Sequence, residues 1–315
     1  MAESKSVVIA ALLANGAIAV MKFLGFLVTG SPSMLSETYH SISDTGNQVF
    51  LLVGIRYSGK DASRAHPFGY GKAEFFYSFL VSVLLFGIAG WESAKHGYNA
   101  IVHGGHGGTP DPVQFLGIGP FDPIWVNITV LVGAIAFESY ALAKANAGMR
   151  SAMDEYGWGS YREAFRKTSD VTTLTAFTED TIALVGAGLA LVGVVLSRVL
   201  DNPIFDAVTA LLIGLLLMGF ALALAWENKR LILGESLPSA VEEELRTLVG
   251  EHEGVKHVDA FRTVYVGPER VLVTADVSFD PALETTGIDD DISALEQKLK
   301  QADRRVRVVY IEPEL

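Results

Sequence analysis

The sequence contains no cysteine, no clustered basic run and neither of two common hydrolase motifs. Without cysteine, disulfides, thiolate metal clusters and thiol catalysis are excluded, so any metal must be held by His, Asp, Glu and water. The absence of H-E-x-x-H and G-x-S-x-G leaves no obvious machinery for hydrolysis. A formal net charge of -12 without a basic patch argues against nucleic acid as a partner. The chain is therefore not expected to be an enzyme or a nucleic-acid-binding protein.

Long apolar stretches dominate the first two thirds of the chain. Half of the 315 residues are hydrophobic, and the mean hydropathy is +0.34. A helix that crosses a bilayer core of about 30 Å needs about 20 mainly apolar residues. Six stretches are long enough, at residues 7–28, 34–56, 74–93, 121–145, 171–197 and 204–226. We predict an α-helical membrane protein in which residues 1–228 form a domain of six transmembrane helices.

Lysine and arginine are distributed unevenly among the connecting segments. The loops after the second and fourth stretches and the segment after the sixth are basic, whereas the other loops carry at most one basic residue. Because basic loops stay in the cytoplasm, both termini are predicted to be cytoplasmic. The first stretch is too long for a signal-peptide core, and no transit peptide precedes it. This favours a bacterial cytoplasmic membrane.

The character of the sequence changes near residue 229. From there to the end it carries 18 acidic and 11 basic residues. Amphipathic helices are predicted at residues 241–248 and 289–301, and strands at 258–266, 270–279 and 306–311. The order αββαβ indicates a small, ferredoxin-like α+β domain at residues 229–315. Such a short domain has a limited core, so pairing with a second copy is expected.

Polar residues interrupt the second stretch at regular intervals. Glu37, His40, Asp44 and Asn47 are separated by 3, 4 and 3 residues, which places them on one helical face. An ionisable group at the bilayer centre costs about 2.5–3.5 kcal/mol. Such a face indicates either a ligand site or interhelical hydrogen bonding. Lys22, in the outer half of the first stretch, is expected to extend towards the membrane surface.

The fifth stretch carries Glu179 and Asp180 close to its start. At 1.5 Å per residue, Asp44 and Asp180 lie about 15 Å and about 14 Å into the bilayer from opposite sides. An imidazole and two carboxylates at one depth suit Zn²⁺, Mn²⁺, Fe²⁺ or Co²⁺. Without metal the same groups take up protons, so metal release and protonation become alternatives. The pattern predicts a metal/proton antiporter, with His40, Asp44 and Asp180 as metal ligands.

Several segments resemble the cation diffusion facilitator family. Residues 30–48, which include His40 and Asp44, look like the second-helix signature of that family, and residues 66–74 look like the segment leading into its third helix. Residues 177–184 are similar to the fifth helix of a branch that includes a mitochondrial zinc transporter. Leu237-Pro238, Gly254-Val255 and Arg262-Thr263 resemble its cytoplasmic domain. The resemblance covers nearly the whole chain.

The resemblance implies a homodimer that exports zinc, or manganese, iron or cobalt, by alternating access in exchange for protons. It also implies a central site with two ligands from the second helix and two from the fifth. His40, Asp44 and Asp180 match three of these positions, but the fourth is Ala176, which cannot bind metal. Asn47, Glu179 or a water are candidates for the missing ligand, although helix geometry turns Glu179 about 100° away from Asp180. Asn47, Glu179 and Glu37 are also possible additional ligands of a metal or of protons.

Two accessory metal sites of the family are incomplete in this sequence. In the loop after the second helix only His66 remains, so this loop is expected to be structural. In the cytoplasmic domain Asp259 and Glu312 are the only ligand types at the matching positions, so dimerisation is expected largely without metal. No cofactor is expected besides the transported metal and protons. A non-transporting membrane scaffold that keeps the fold is the alternative left open by Ala176.

Overall fold

The computed structural model describes residues 2–103, 113–115, 118–168 and 171–314. The chain divides into two compact units. The first comprises Met1–Val53, Tyr77–Phe165 and Thr172–Trp226, and the second comprises Gly54–Phe76, Arg166–Val171 and Glu227–Leu315. The second unit therefore contains two segments from the helical part of the chain together with the C-terminal region.

The helical part has six long helical spans, counted over the described residues. Their elements are α1 (Ala2–Thr29), α2 (Pro32–Ser58), α3 (Lys72–Leu84), a π-helical segment (Leu85–Gly90), α4 (Trp91–Val102), α5 (Ile124–Tyr156), α7 (Val171–Val199) and α8 (Ile204–Leu233). The span Lys72–Val102 joins α3, the π-helical segment and α4 without a break. Two elements were not predicted: a hairpin of β1 (Val113–Phe115) and β2 (Ile118–Phe121), and the short helix α6 (Tyr161–Lys167).

Four of these spans are long and apolar enough to cross a membrane, judged over the described residues. They are Lys72–Val102, Ile124–Tyr156, Ala176–Val199 and Ile204–Leu233. In α1 the apolar part, over the residues whose side chains are described, is shorter, Asn15–Thr29. In α2 the polar residues predicted above lower the average hydropathy, because they occupy one whole face. The predicted α-helical membrane fold with a small C-terminal sheet domain is confirmed.

Exposed apolar side chains surround the bundle, as a lipid-facing surface requires. Large hydrophobic residues are exposed on several spans, among them Leu24, Val192, Leu215, Leu222 and Trp226. Inside, α4 and α8 approach closely through glycines. A Cβ on Gly214 would overlap the backbone of Ala94, and one on Gly97 would overlap the backbone of Leu211. Small residues at such crossings let membrane helices pack tightly.

The C-terminal part of the second unit has the predicted αββαβ order. Its elements are α9 (Ser239–Gly250), β3 (Val255–Gly267), β4 (Arg270–Phe279), α10 (Thr285–Ala302) and β5 (Val306–Glu314). The central strand β4 pairs antiparallel with β3 and parallel with β5. Leu245, Val249, Leu295 and Leu299 of the two helices are buried with the strand residues in one core. Buried residues alternate with partly buried ones along β4 from Val273 to Phe279, as expected of a strand with one face in the core.

The loop before α3 belongs to the same unit as the sheet. Phe75 is fully buried in the core that contains Leu231, Leu237 and Tyr265. Gly71 lies against the β3–β4 hairpin so closely that a Cβ there would be 2.5 Å from the carbonyl oxygen of Val266. The loop after α2 is thus packed into the second unit rather than free.

Candidate metal centre

The polar face of α2 consists of Glu37, His40, Ser41, Asp44 and Asn47 and is buried. Their exposed fractions are 0 %, 1 %, 3 %, 6 % and 1 %. The apolar side chains on the other side of α2 are the exposed ones, with Ile42 at 52 % and Val49 at 46 %. The predicted common face is therefore present, and it is turned inward. This inversion of an ordinary amphipathic helix suits a helix that presents ligands to the interior of a membrane bundle.

Two contacts show that α7 packs against this face in the antiparallel direction. Near one end, Nδ2 of Asn47 donates a hydrogen bond of 2.6 Å to Oε1 of Glu179. Near the other, Gly186 is so close to Glu37 that an added Cβ would lie 2.6 Å from its Oε1 atom. Residue numbers rise along α2 from the second contact to the first, and fall along α7. His40 and Asp44 lie between these two contacts.

His40 and Asp44 carry polar atoms that the described protein does not satisfy. Their Nδ1 and Oδ1 atoms are 3.3 Å apart, but they are not aligned as a hydrogen bond. Among the described residues, neither ring nitrogen of His40 has a hydrogen-bond partner, and neither has Oδ1 of Asp44. Buried polar groups are nearly always paired. An imidazole and a carboxylate left without partners one helical turn apart are suitable ligands for a divalent metal.

The two acids of α7 differ in their surroundings. Glu179 is buried, whereas Asp180 is only partly buried. Helix geometry predicted that Glu179 is turned away from the shared face, but it is Glu179 that accepts a hydrogen bond from Asn47 on α2. The reason is that adjacent helical residues are 100° apart, so spacing alone does not determine which of them faces α2. The bond also makes Asn47 a partner of Glu179 in this structure.

The predicted ligands do not form a closed cluster in this structure. Within the described ranges, no group of three or more His, Asp or Glu side chains is close enough together to hold a metal ion. The side chains of His40 and Asp44 lie next to each other. Asp180 is the next residue in the chain after Glu179, which contacts α2. Ala176, one turn earlier on α7, supplies no polar atom. The metal ligands therefore remain a prediction from the residues and their neighbourhood.

Lys22 of α1 points inward, which contradicts the expectation that it reaches the membrane surface. Its ammonium group is fully buried and lies 2.7 Å from Oε2 of Glu37 and 2.9 Å from Oγ of Ser41. An ion pair and a second acceptor compensate the ammonium inside the bundle, so extension along the helix is unnecessary. Glu37, a candidate additional ligand, is the partner of Lys22 through one oxygen, while Oε1 has no hydrogen-bond partner among the described residues.

A further buried acid, Glu138, lies on α5. It is 6 % exposed and close enough to Lys22 and Asp180 for their charges to act on it.

The amino end of α2 is fixed to α8, because the hydroxyl groups of Ser31 and Ser33 both donate to the carboxylate of Asp206. The bonds to Asp206 fix the start of the helix that carries His40 and Asp44. Sequence spacing gave no signal for either arrangement, since both join segments far apart in the chain.

Two of the accessory positions, His66 and Asp259, have protein partners. The ring of His66 stacks on Tyr70 with 4.2 Å between centroids, and the backbone of His66 pairs with that of Ser63 in an isolated bridge. In the C-terminal sheet, Asp259 accepts a hydrogen bond of 2.7 Å from Ser278. His66 is therefore part of a compact turn in the second unit, and no metal-binding role follows from its contacts.

Comparison with known proteins connects this geometry to a family. The model of the cation efflux transmembrane domain matches residues 8–233. The human protein named "Proton-coupled zinc antiporter SLC30A9, mitochondrial" is 28 % identical over 279 residues, covering 89 % of this chain and 46 % of that protein. The chain thus spans about half the length of the animal relatives it matches.

Two bacterial proteins are similar over more of their length. "Magnetosome protein MamM" of Paramagnetospirillum magneticum is 23 % identical over 318 residues, covering 99 % of this chain and 88 % of that protein. "Cation-efflux pump FieF" of Klebsiella pneumoniae is 27 % identical over 268 residues, covering 84 % and 77 %. The matched domain is a transport domain and not an enzyme domain. The chain therefore belongs to the cation efflux family, and residues 8–233 are its transmembrane domain.

Proposed function

We propose that this protein exports a divalent transition metal, zinc in the first place, across a membrane in exchange for protons. The metal is held by His40, Asp44 and Asp180, with Glu179 and Asn47 beside it. The observation that carries the proposal is the pair of unpartnered groups on His40 and Asp44, placed between two contacts of α2 with α7. The names of the zinc antiporter and efflux relatives agree with this chemistry.

Charge explains why a cation or protons must enter this region. Asp44, Glu179, Asp180 and Glu138 bring four carboxylates into a bundle interior, and Lys22 is already paired with Glu37. Several ionised carboxylates cannot remain close together in a low-dielectric medium without compensation. A divalent metal supplies two positive charges, and protons supply the same charge when the metal leaves. The two occupants compete for the same oxygens, and this competition couples their movements.

Alternating access fits the incomplete ligand set. Because no described group of three ligands is closed in this structure, we propose that Asp180 joins His40 and Asp44 when the metal binds. A small rotation or shift of α7 against α2 changes which of Glu179 and Asp180 faces the site, since they are adjacent on the helix. The Asn47–Glu179 bond is then the contact that forms in one state and breaks in the other.

Assembly and location follow from the same proposal. The chain acts as a homodimer that pairs through the C-terminal domain, residues 229–315, and both termini lie in the cytoplasm. The basic loops support that orientation. The membrane is the bacterial cytoplasmic membrane. The animal relatives named above carry the word mitochondrial in their names, so an organellar membrane is the alternative that localisation experiments distinguish.

Metal flux into proteoliposomes tests the proposal. Purified protein is reconstituted, a pH gradient is imposed, and uptake of Zn²⁺, Mn²⁺, Fe²⁺ and Co²⁺ is compared. Asp44→Ala and Asp180→Ala are expected to abolish uptake, whereas Glu92→Gln is the matched control, because the Glu92 side chain is 40 % exposed and paired with Lys95. Uptake that survives in both Ala variants would remove the central site, and uptake independent of the gradient would remove proton coupling.

The alternative of a non-transporting scaffold is favoured by one observation, the alanine at position 176. Ala176→His restores an imidazole at the fourth position. Under the transport proposal this variant folds, transports and changes its metal preference. A wild-type protein that moves none of the four metals, with or without the substitution, would support the scaffold instead.

A further inference from the structure

Lys22 and Glu37 form a fully buried ion pair at the polar face of α2. The exposed fraction of each side chain is 0 %. The ammonium is 2.7 Å from Oε2 of Glu37 and 2.9 Å from Oγ of Ser41. The pair links α1 to the face of α2 that also carries His40 and Asp44.

Stability alone does not explain this ion pair. Enclosing two charges in a low-dielectric interior costs several kcal/mol per ion, and replacing such a pair by apolar residues is often neutral or stabilising. Ionisable groups at membrane depth face the same cost. The charges of Lys22 and Glu37 therefore point to a role in the chemistry of the site.

The position of the pair indicates which role. Ser41, which accepts from Lys22, is three residues before Asp44, and one helical turn is about 5.4 Å. The ammonium is thus within about 10 Å of Asp44, and its charge acts on both His40 and Asp44. Glu37 Oε1 lies against Gly186 of α7. Glu37 and Lys22 are consequently held at one end of the contact between the two ligand-bearing helices.

We propose that Lys22 is a fixed internal cation that sets the charge, and hence the metal affinity, of the central site, while Glu37 holds its ammonium in place. This inference rests on the proposed function of that site. Lys22 cannot bind metal while it is protonated, and it repels a divalent ion nearby. Glu37 is neutralised by Lys22 and is a positioning residue rather than a metal ligand. The ammonium offsets the negative charge that Glu37 would otherwise add near the site, and it thereby keeps the affinity low enough for the bound metal to be released.

Opposite charge changes at the two positions test this role. Zn²⁺ affinity is measured on the full-length protein in detergent by competition with a fluorescent zinc indicator, and KM and kcat are measured in proteoliposomes. Lys22→Met is expected to raise Zn²⁺ affinity at least about tenfold and to lower kcat, because release slows. Glu37→Gln is expected to lower affinity at least about tenfold, because the ammonium is then uncompensated. The double variant is expected to lie within about threefold of wild type, since the opposing charge changes offset.

A purely structural pair gives a different pattern. In that case Lys22→Met and Glu37→Gln both reduce Zn²⁺ affinity and stability together. Lys22→Arg also reduces both, because the larger side chain does not fit the same contact. Under the proposal Lys22→Arg keeps affinity near the wild-type value, because the positive charge remains. Should Lys22→Met fail to fold, the same charge is isolated by comparing the double variant with Glu37→Gln alone. Removal of the ammonium in the Glu37→Gln background must raise Zn²⁺ affinity.

The outcomes separate this inference from the proposed function. Single variants that shift affinity in the same direction, or not at all, overturn the role of Lys22 while Asp44→Ala still abolishes binding. If Asp44→Ala binds Zn²⁺ as tightly as wild type, the central site itself is refuted and the inference falls with it.

Discussion

Buried polar side chains occur in both units, but their hydrogen bonding differs. In the C-terminal domain, Arg305 is 3 % exposed, and its guanidinium group donates to both oxygens of Asp303 and to the hydroxyl of Tyr265. On the polar face of α2, by contrast, both ring nitrogens of His40 lack partners among the described residues. Buried polar groups with all their hydrogen bonds made hold a fold together, whereas buried polar groups without partners are available to a ligand.

The largest effect is expected for His40, whose ring nitrogens have no hydrogen-bond partner among the described residues. His40→Ala is expected to reduce zinc flux at least about a hundredfold with little loss of stability, because it removes atoms that form no bond within the described protein. Flux in proteoliposomes and thermal unfolding of the same preparation measure the two quantities. A variant that unfolds while the remaining folded fraction transports normally would assign His40 to structure.

Asp303→Ala tests the buried ion pair between Asp303 and Arg305 in the C-terminal domain. It leaves the enclosed guanidinium of Arg305 without its main partner and is expected to destabilise the second unit by about 3 kcal/mol. Zinc flux per folded molecule is expected to stay unchanged. Hydrogen exchange of backbone amides in β3, β4 and β5 reports the local stability, with Lys300→Ala as the control for a surface ion pair. If the sheet amides are protected equally in Asp303→Ala and Lys300→Ala, the pairing of Asp303 with Arg305 does not stabilise the second unit.

Gly186→Ala is expected to have an intermediate effect. The added methyl group overlaps Oε1 of Glu37, so the Lys22–Glu37 pair or α7 must shift, and zinc flux is expected to fall about tenfold. Gly188→Ala is the matched control on the same helix, because a Cβ there meets nothing within 4 Å. Similar flux in the two variants would show that the contact between α7 and Glu37 is unimportant.

The pH dependence of the C-terminal domain provides a smaller effect. Burial opposes ionisation of Asp303, but the hydrogen bonds from Arg305 prevail and lower the pKa of that carboxyl. A lowered pKa contributes stability above the pKa of the unfolded chain, about 3.9, and this contribution is lost as the pH falls through the folded-state value. Protection of the sheet amides should therefore decline below about pH 4 in wild type and less so in Asp303→Asn.

The smallest effect is expected at an exposed pair. A hydrogen bond from Lys256 lowers the pKa of the Asp280 carboxyl, yet the Lys256 side chain is 59 % exposed. Solvent screens such a pair. Asp280→Asn is expected to leave amide exchange and zinc flux unchanged within error, and a clear loss in either measurement would show that exposure is a poor guide to importance here.

Much of the fold could be predicted from the sequence because it depends on local pattern. The long apolar stretches, the αββαβ order and the shared face of Glu37, His40, Asp44 and Asn47 all follow from residue spacing along one helix or strand. Strand β4 matches its predicted bounds, residues 270–279. The span from Lys72 to Val102 is longer than predicted, since the polar residues near its end did not interrupt the helix.

The partners of the polar side chains could not be predicted in this way. Spacing determines which residues share a face but not how a helix is rotated towards its neighbours. A step of one residue turns the side chain by 100° about the helix axis. Tertiary packing therefore decided that Glu179 bonds to Asn47, and that Lys22 pairs with Glu37 instead of reaching the membrane surface. Residue order alone places costly ionisable groups in the apolar stretches. The packing of α1, α2 and α7 decides which of them pair within the protein, as Lys22 does with Glu37, and which keep atoms without a hydrogen-bond partner among the described residues, as His40 and Asp44 do.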